Sequence, residues 1–111
     1  MFDTEEFYLK EVEKNKHLMH YEKLLIVLSK SGYSKAKFKL GQARQELVIS
    51  ITLEYLGSGL SFIDLINEAN LGLMRGIEEI NKLSDNDELD EHLKPFIHLS
   101  LQKALSHLKK Q

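Results

Sequence analysis

Five histidines and seventeen carboxylates are the side chains of this chain with the widest chemical reach, and their spacing decides how much of it they can use. His17 and His20 lie three apart, while His92, His98 and His107 fall toward the other end. Without cysteine, and without a helical His-Glu-x-x-His arrangement, neither group has the spacing of a zinc site, and surface or partly packed histidines are expected. Glu78-Glu79 and the run Asp85, Asp87, Glu88, Asp90 and Glu91 supply carboxylates in abundance. Nothing in the sequence sets a pair of them around a pocket, as acid–base catalysis requires, so they read as a solvated charge run. Gly57-Ser58-Gly59 lacks the lysine of a phosphate-binding loop and reads as an interhelical turn or helix C-cap. The expectation is a protein that is not an enzyme, with no catalytic residue, cofactor or metal.

Recognition is the chemistry that remains. On a helix, Asp64, Asn67, Glu68, Leu71, Met74, Arg75 and Glu78 share the side opposite an apolar stripe of Phe62, Ile66, Ala69, Leu73, Ile77 and Ile80. Two large apolar residues among acids and an amide admit two readings. One is a solvated face carrying isolated apolar side chains, which are common. The other is a partner surface, with Leu71 and Met74 as anchors and the carboxylates aimed at arginines across an interface.

The elements that must position these residues are all helical by pattern. Thr4 caps a short first helix through Tyr8, Leu9 and Val12. Over 20–30, Tyr21, Leu24, Leu25 and Leu28 recur at helical steps, and Ser31-Gly32 closes the segment. From Ser34, one long third helix carries the stripe Ala36, Leu40, Ala43, Leu47, Ile51 and Tyr55 as far as Gly57. Ser61 caps the fourth helix, which bears the candidate face. Ser84-Asp85-Asn86-Asp87 breaks the pattern, and Pro95 suits the first turn of a last helix with the stripe Ile97, Leu101, Ala104 and Leu108. No segment alternates with a period of two and no internal repeat is present. An all-α compact bundle of about five helices, one domain over 1–111, is expected.

Composition agrees. The 111 residues are enough for one modest core, and 42% hydrophobic with 29% charged residues and one proline describe a helix-rich globular chain. A net charge of −2, with Arg44 and Arg75 the only arginines, gives no general attraction to a phosphate backbone. The absence of cysteine rules out disulfides and suits a reducing compartment. Asp3, Glu5 and Glu6 interrupt any signal-peptide pattern, and the longest apolar run, 24–28, cannot span a bilayer. A cytoplasmic protein with no membrane partner is expected.

The stretch Gly59-Leu60-Ser61-Phe62-Ile63-Asp64-Leu65-Ile66-Asn67-Glu68-Ala69-Asn70-Leu71-Gly72-Leu73-Met74-Arg75-Gly76-Ile77-Glu78 resembles conserved region 2.2 of the sigma-70 family of bacterial RNA polymerase sigma factors. Leu47-Val48-Ile49-Ser50-Ile51 with Tyr55-Leu56-Gly57 is similar to region 2.1, and Tyr8-Leu9-Lys10-Glu11-Val12 to the opening of region 1.2. The resemblance covers about 7–81 and divides the chain into a region 1.2-like part (1–32), a region 2.1/2.2-like part (33–81), and an acidic linker with a degenerate region 2.3-like helix (82–111). It implies the fold of sigma factor domain 2, and docking of the fourth helix on the clamp-helix coiled coil of the polymerase beta-prime subunit. Carried over position by position, the polymerase-contacting residues are Asp64, Asn67, Glu68, Asn70 and Met74, with Leu71 beside them as an apolar anchor. Asn67 replaces the family's glutamine and keeps the amide, and Ala69 replaces a glycine, which a helix interior accepts readily.

Elsewhere the sequence departs from that family. Aligning 93–105 with region 2.3 leaves Leu93, Phe96, Leu99 and Ser100 where aromatic residues that stack on unpaired promoter bases are placed, and only Phe96 could stack. The linker carries five acids against Lys82, and Glu46 and Glu54 stand at usually basic positions, all unfavourable to a nearby phosphate backbone. Phe96, Lys94, Lys103, Lys109 and Lys110 remain candidates for weak DNA contact, against the reading that the lysines solubilise an exposed face. No helix-turn-helix is present, so the chain alone is expected not to specify a promoter. The resemblance implies a sigma-factor-like transcription protein that binds the polymerase core, as a regulator or as half of a split sigma factor completed by a second sigma-like chain. The alternative is a sigma mimic that binds an anti-sigma protein without contacting polymerase.

Overall fold

A computed structural model describes residues 21–109, the Lys109 side chain excepted, together with Glu6 and Lys10. Glu6 and Lys10 are helical and form an ion pair at 3.7 Å. The rest of the expected first helix, the region 1.2-like motif around it, His17, His20 and Lys110 lie outside the described residues.

The described chain is a bundle of five α-helices without strands: α1 Glu22–Lys30, α2 Ser34–Ala43, α3 Gln45–Leu53, α4 Phe62–Glu78 and α5 Leu89–Lys109, with a 3-10 turn at Ile80–Lys82. In α1, Glu22 in the first turn and Lys30 in the last complement the helix dipole. The helix closes in a Schellman motif: Gly32 takes φ +91°, Tyr33 N–H donates to the Leu28 carbonyl, and Gly32 N–H donates to that of Ser29. Leu25 is buried as expected, but Tyr21 and Leu24 are 61% and 56% exposed. The expected α1 stripe is therefore wrong by part of a turn. Leu25 and Ser29 face the bundle instead.

The single long helix read from Ser34 onward is in fact two. Arg44 breaks it with φ −108° and ψ 16°, its N–H reaching back only to Gly41. The side chain explains why a residue with no turn propensity sits there. Arg44 is buried, its guanidinium paired with Glu22 of α1 and, at 2.9 Å, with Asp90 of α5. Burial lowers its pKa and the Asp90 charge pulls it back up. A guanidinium keeps its charge under any such shift, so the cluster clamps α1, the α2–α3 junction and the start of α5 together.

The last helix begins at Leu89, six residues ahead of Pro95, so Pro95 lies inside it and not in its first turn. Leu89 and Leu93 are buried and extend the stripe of Ile97 and Leu101 back by two turns. Asp90 and Glu91, read as linker, are the acidic first turn of this helix. Pro95 removes the amide that would bond the Glu91 carbonyl, at a place where both residues are exposed to water.

Candidate functional site

Helix α4 is built as its sequence dictates. Ser61 Oγ accepts the Asp64 N–H at 3.1 Å, and the stripe Phe62, Ile66, Ala69, Leu73 and Ile77 is buried, continued by Ile80 in the following turn. A stripe so fully committed to the core fixes what the opposite side shows to solvent. Asp64, Asn67, Leu71, Met74, Arg75 and Glu78 are exposed and Glu68 is half-buried. Leu71 and Met74, one turn apart, are 51% and 40% exposed. The carboxylates of Asp64 and Glu68 enter no ion pair among the described residues, whereas Glu78 Oε2 accepts from Lys37 Nζ of α2 at 3.3 Å. Asn70 stands apart from the rest. Its Oδ1 accepts from Gln45 Nε2 at 2.6 Å and its Nδ2 donates to the Ile66 carbonyl at 3.1 Å, so its amide is spent tying α4 to α3.

The neighbour of this face is α5, which packs against α4 through two glycines. A Cβ on Gly72 would fall 2.5 Å from the Phe96 carbonyl oxygen and 2.7 Å from Ile97 Cα; one on Gly76 would fall 2.8 Å from Leu93 Cδ2. The close approach brings Phe96, Leu99 and Lys103 alongside Leu71, Met74, Arg75 and Glu78 in a groove of about 480 Å³. The family comparison marks Leu99 only as a lost aromatic position; its place off the stripe of Leu93, Ile97 and Leu101 is the signal that it faces outward.

The expected DNA-contacting residues are differently disposed. Phe96 is half-buried, its ring 5.4 Å from that of His92, and Lys94 is held by Glu91 at 2.9 Å, which raises the ammonium pKa. Lys103 is exposed in the groove; the Lys109 side chain and Lys110 are outside the described residues. Leu93 and Ser100 are 0% and 3% exposed, so two of the four positions compared with stacking aromatics face the interior.

Two of the three histidines of α5, His92 and His98, have structural partners. His92 Nε2 lies 2.8 Å from the Gly76 carbonyl, which can only accept, so that nitrogen carries the proton. His98 Nδ1 shares a 2.8 Å hydrogen bond with the Tyr55 hydroxyl. Among the described residues no group of three His, Asp or Glu side chains could hold a metal ion, and no helix is long and apolar enough to cross a membrane.

No protein-family model matches the chain. Similarity to individual proteins is clear. Over 80 residues the chain is 40% identical to the RNA polymerase sigma factor SigA of Clostridium acetobutylicum, and 36% identical to the proteins of the same name in Listeria monocytogenes and Listeria innocua. Each match covers 71% of this chain and 21% of the relative, so the chain aligns with about a fifth of the length of these sigma factors. The all-helical bundle with a region 2.2-like helix at its centre agrees with this similarity: over 71% of its length, the chain belongs to the sigma-70 family of sigma factors.

Proposed function

We propose that the chain is a sigma-factor-like transcription protein that binds RNA polymerase through the outer face of α4, with the clamp helices of the beta-prime subunit as its docking site. The observation that carries this reading is the pair Leu71 and Met74, exposed one turn apart beside the carboxylates of Asp64 and Glu68, which enter no ion pair among the described residues. Apolar anchors flanked by free charge suit a protein interface better than a merely solvated face. Membership of the sigma-70 family makes polymerase the partner to test first. Asn67 joins the contact set, while Asn70 supports α4 from behind through Gln45.

The chain on its own does not read a promoter by base stacking, because Leu93 and Ser100 are interior and the Phe96 ring lies against His92. The chain therefore acts on polymerase as a regulator, or opens DNA together with a second sigma-like chain. Capture of purified core polymerase by the full chain tests the reading. Asp64→Ala combined with Glu68→Ala is expected to weaken capture at least tenfold, since removing charges that pair across an interface commonly costs 2 kcal/mol or more, roughly. Undiminished capture overturns it, and recovery of an anti-sigma protein in place of polymerase from native cells moves the same surface to that partner.

A further inference from the structure

Beyond α4 itself, the surface continues onto α5. The groove lined by Leu71, Met74, Phe96 and Leu99 runs on into a second, of about 450 Å³, where Asp64, Asn67 and Glu68 face Ser100 and His107. Arg75 and Lys103 line both, so the two form one trough along the antiparallel pair α4–α5. From Asp64 to Glu78 the trough extends roughly 20 Å at the rise of an α-helix, which is the length of about four turns of a partner helix. Its apolar end is built equally from both walls: Leu99 is 48% exposed, close to Leu71 and Met74 opposite.

Charge narrows the occupant. Glu78 and Glu79 are satisfied by Lys37 and Lys82, which leaves Asp64, Glu68, Arg75 and Lys103 as the charges of the trough with no ion-pair partner among the described residues. Two cations beside two unpaired carboxylates leave the trough without net charge and so without net attraction for a phosphate backbone. The same layout matches a helix with one apolar stripe, a base opposite Asp64 and Glu68, and an acid opposite Arg75 and Lys103.

We infer that one amphipathic helix of the partner lies in the α4–α5 trough, so that Phe96, Leu99 and Lys103 are protein-contacting residues and α5 serves protein recognition. The inference rests on the polymerase-binding reading above and extends it to a second wall. A helix in the trough meets apolar side chains from both sides and is desolvated along its length, which a single convex ridge cannot achieve. The geometry depends on the glycine contacts, because Gly72 against the α5 backbone holds Leu71 and Leu99 within reach of one partner helix.

The test titrates purified core RNA polymerase with the full chain, its fold checked by circular dichroism for every variant. Leu99→Asp is expected to weaken binding at least tenfold and Lys103→Glu several-fold, while Leu53→Asp, at an equally exposed leucine on α3, leaves it unchanged. If Leu99→Asp and Lys103→Glu bind as wild type while the Asp64/Glu68 double variant does not, the partner touches only α4: the inference falls and the polymerase reading stands. If none of these variants differs from wild type, both fall. Sedimentation and a single-stranded oligonucleotide titration cover the other occupants. A dimer abolished by Leu99→Asp without loss of polymerase binding overturns the inference in favour of a second copy, and oligonucleotide binding abolished by Lys103→Glu overturns it in favour of nucleic acid.

Discussion

Gly72→Ala is the substitution in which the structure and simple helix propensity disagree most. In the middle of α4, alanine should gain about 1 kcal/mol over glycine through backbone entropy alone. The added Cβ, however, meets the Phe96 carbonyl oxygen at 2.5 Å and Ile97 Cα at 2.7 Å, backbone atoms that cannot rotate away. Relief requires α5 to move as a body, and overpacking of that kind costs on the order of 3 kcal/mol. The net loss is then roughly 2 kcal/mol, a fall in Tm of about 8–16 °C for a domain of this size. Two companions calibrate it. Gly76→Ala meets side-chain and not backbone atoms, Leu93 Cδ2 at 2.8 Å and the Phe96 ring at 3.2 Å, and should lie near wild type; Gly41→Ala finds its nearest atom at 3.5 Å and should raise Tm. Thermal melts followed by circular dichroism give the order Gly41→Ala, then wild type and Gly76→Ala together, then Gly72→Ala. A Gly72→Ala protein as stable as wild type would mean that the α4–α5 spacing is not set by this contact, and the trough would lose its physical basis.

Three further outcomes follow from single residues. Thr52 is fully buried and its Oγ1 has no hydrogen-bond partner among the described residues, so Thr52→Val should stabilise by about 1 kcal/mol and raise Tm by several degrees; a lower Tm would show that the hydroxyl is satisfied. Arg44→Met strands Glu22 and Asp90, but both carboxylates keep more than a third of their exposure, so the loss in a denaturant titration should be about 2 kcal/mol and not the larger figure of a fully buried pair. Arg44→Lys should recover little of it, because an ammonium cannot serve two carboxylates in the geometry of a guanidinium fork. Asp87 accepts the Ser84 backbone N–H at 3.0 Å, which holds its pKa below the usual carboxylate value. Its stabilising contribution is therefore complete above the unfolded-state pKa and vanishes as pH falls through the folded one, from about pH 4 downward. Melts between pH 6 and 2 should show a shallower acid decline in Asp87→Asn than in wild type, and an unchanged decline would remove Asp87 from the account.

The candidate surface was legible in the sequence to an unusual degree because α4 is locally determined. Ser61 supplies the cap and six apolar residues recur at one helical period, so the direction of Asp64, Asn67, Glu68, Leu71 and Met74 follows without knowledge of any neighbour. Asn70 joins the expected contacts only through the family resemblance and not through periodicity, and the position of Gln45 on α3 reveals that its amide is already engaged.

Periodicity and capping thus determined the helical class, the start of α4, the turn at Gly32 and the outward side of α4, since each depends on residues within a turn or two of one another. Tertiary structure decided what depends on partners distant along the chain. Helix α2 ends at Arg44 because its guanidinium is drawn between Glu22 and Asp90; α5 starts at Leu89 because Leu89 and Leu93 have a core to enter; and Leu99 joins Leu71 because two glycines allow the backbones of α4 and α5 to meet. Local pattern records which way a side chain points on its own helix, but the spacing between helices, and so any surface shared by two of them, is set only when they pack.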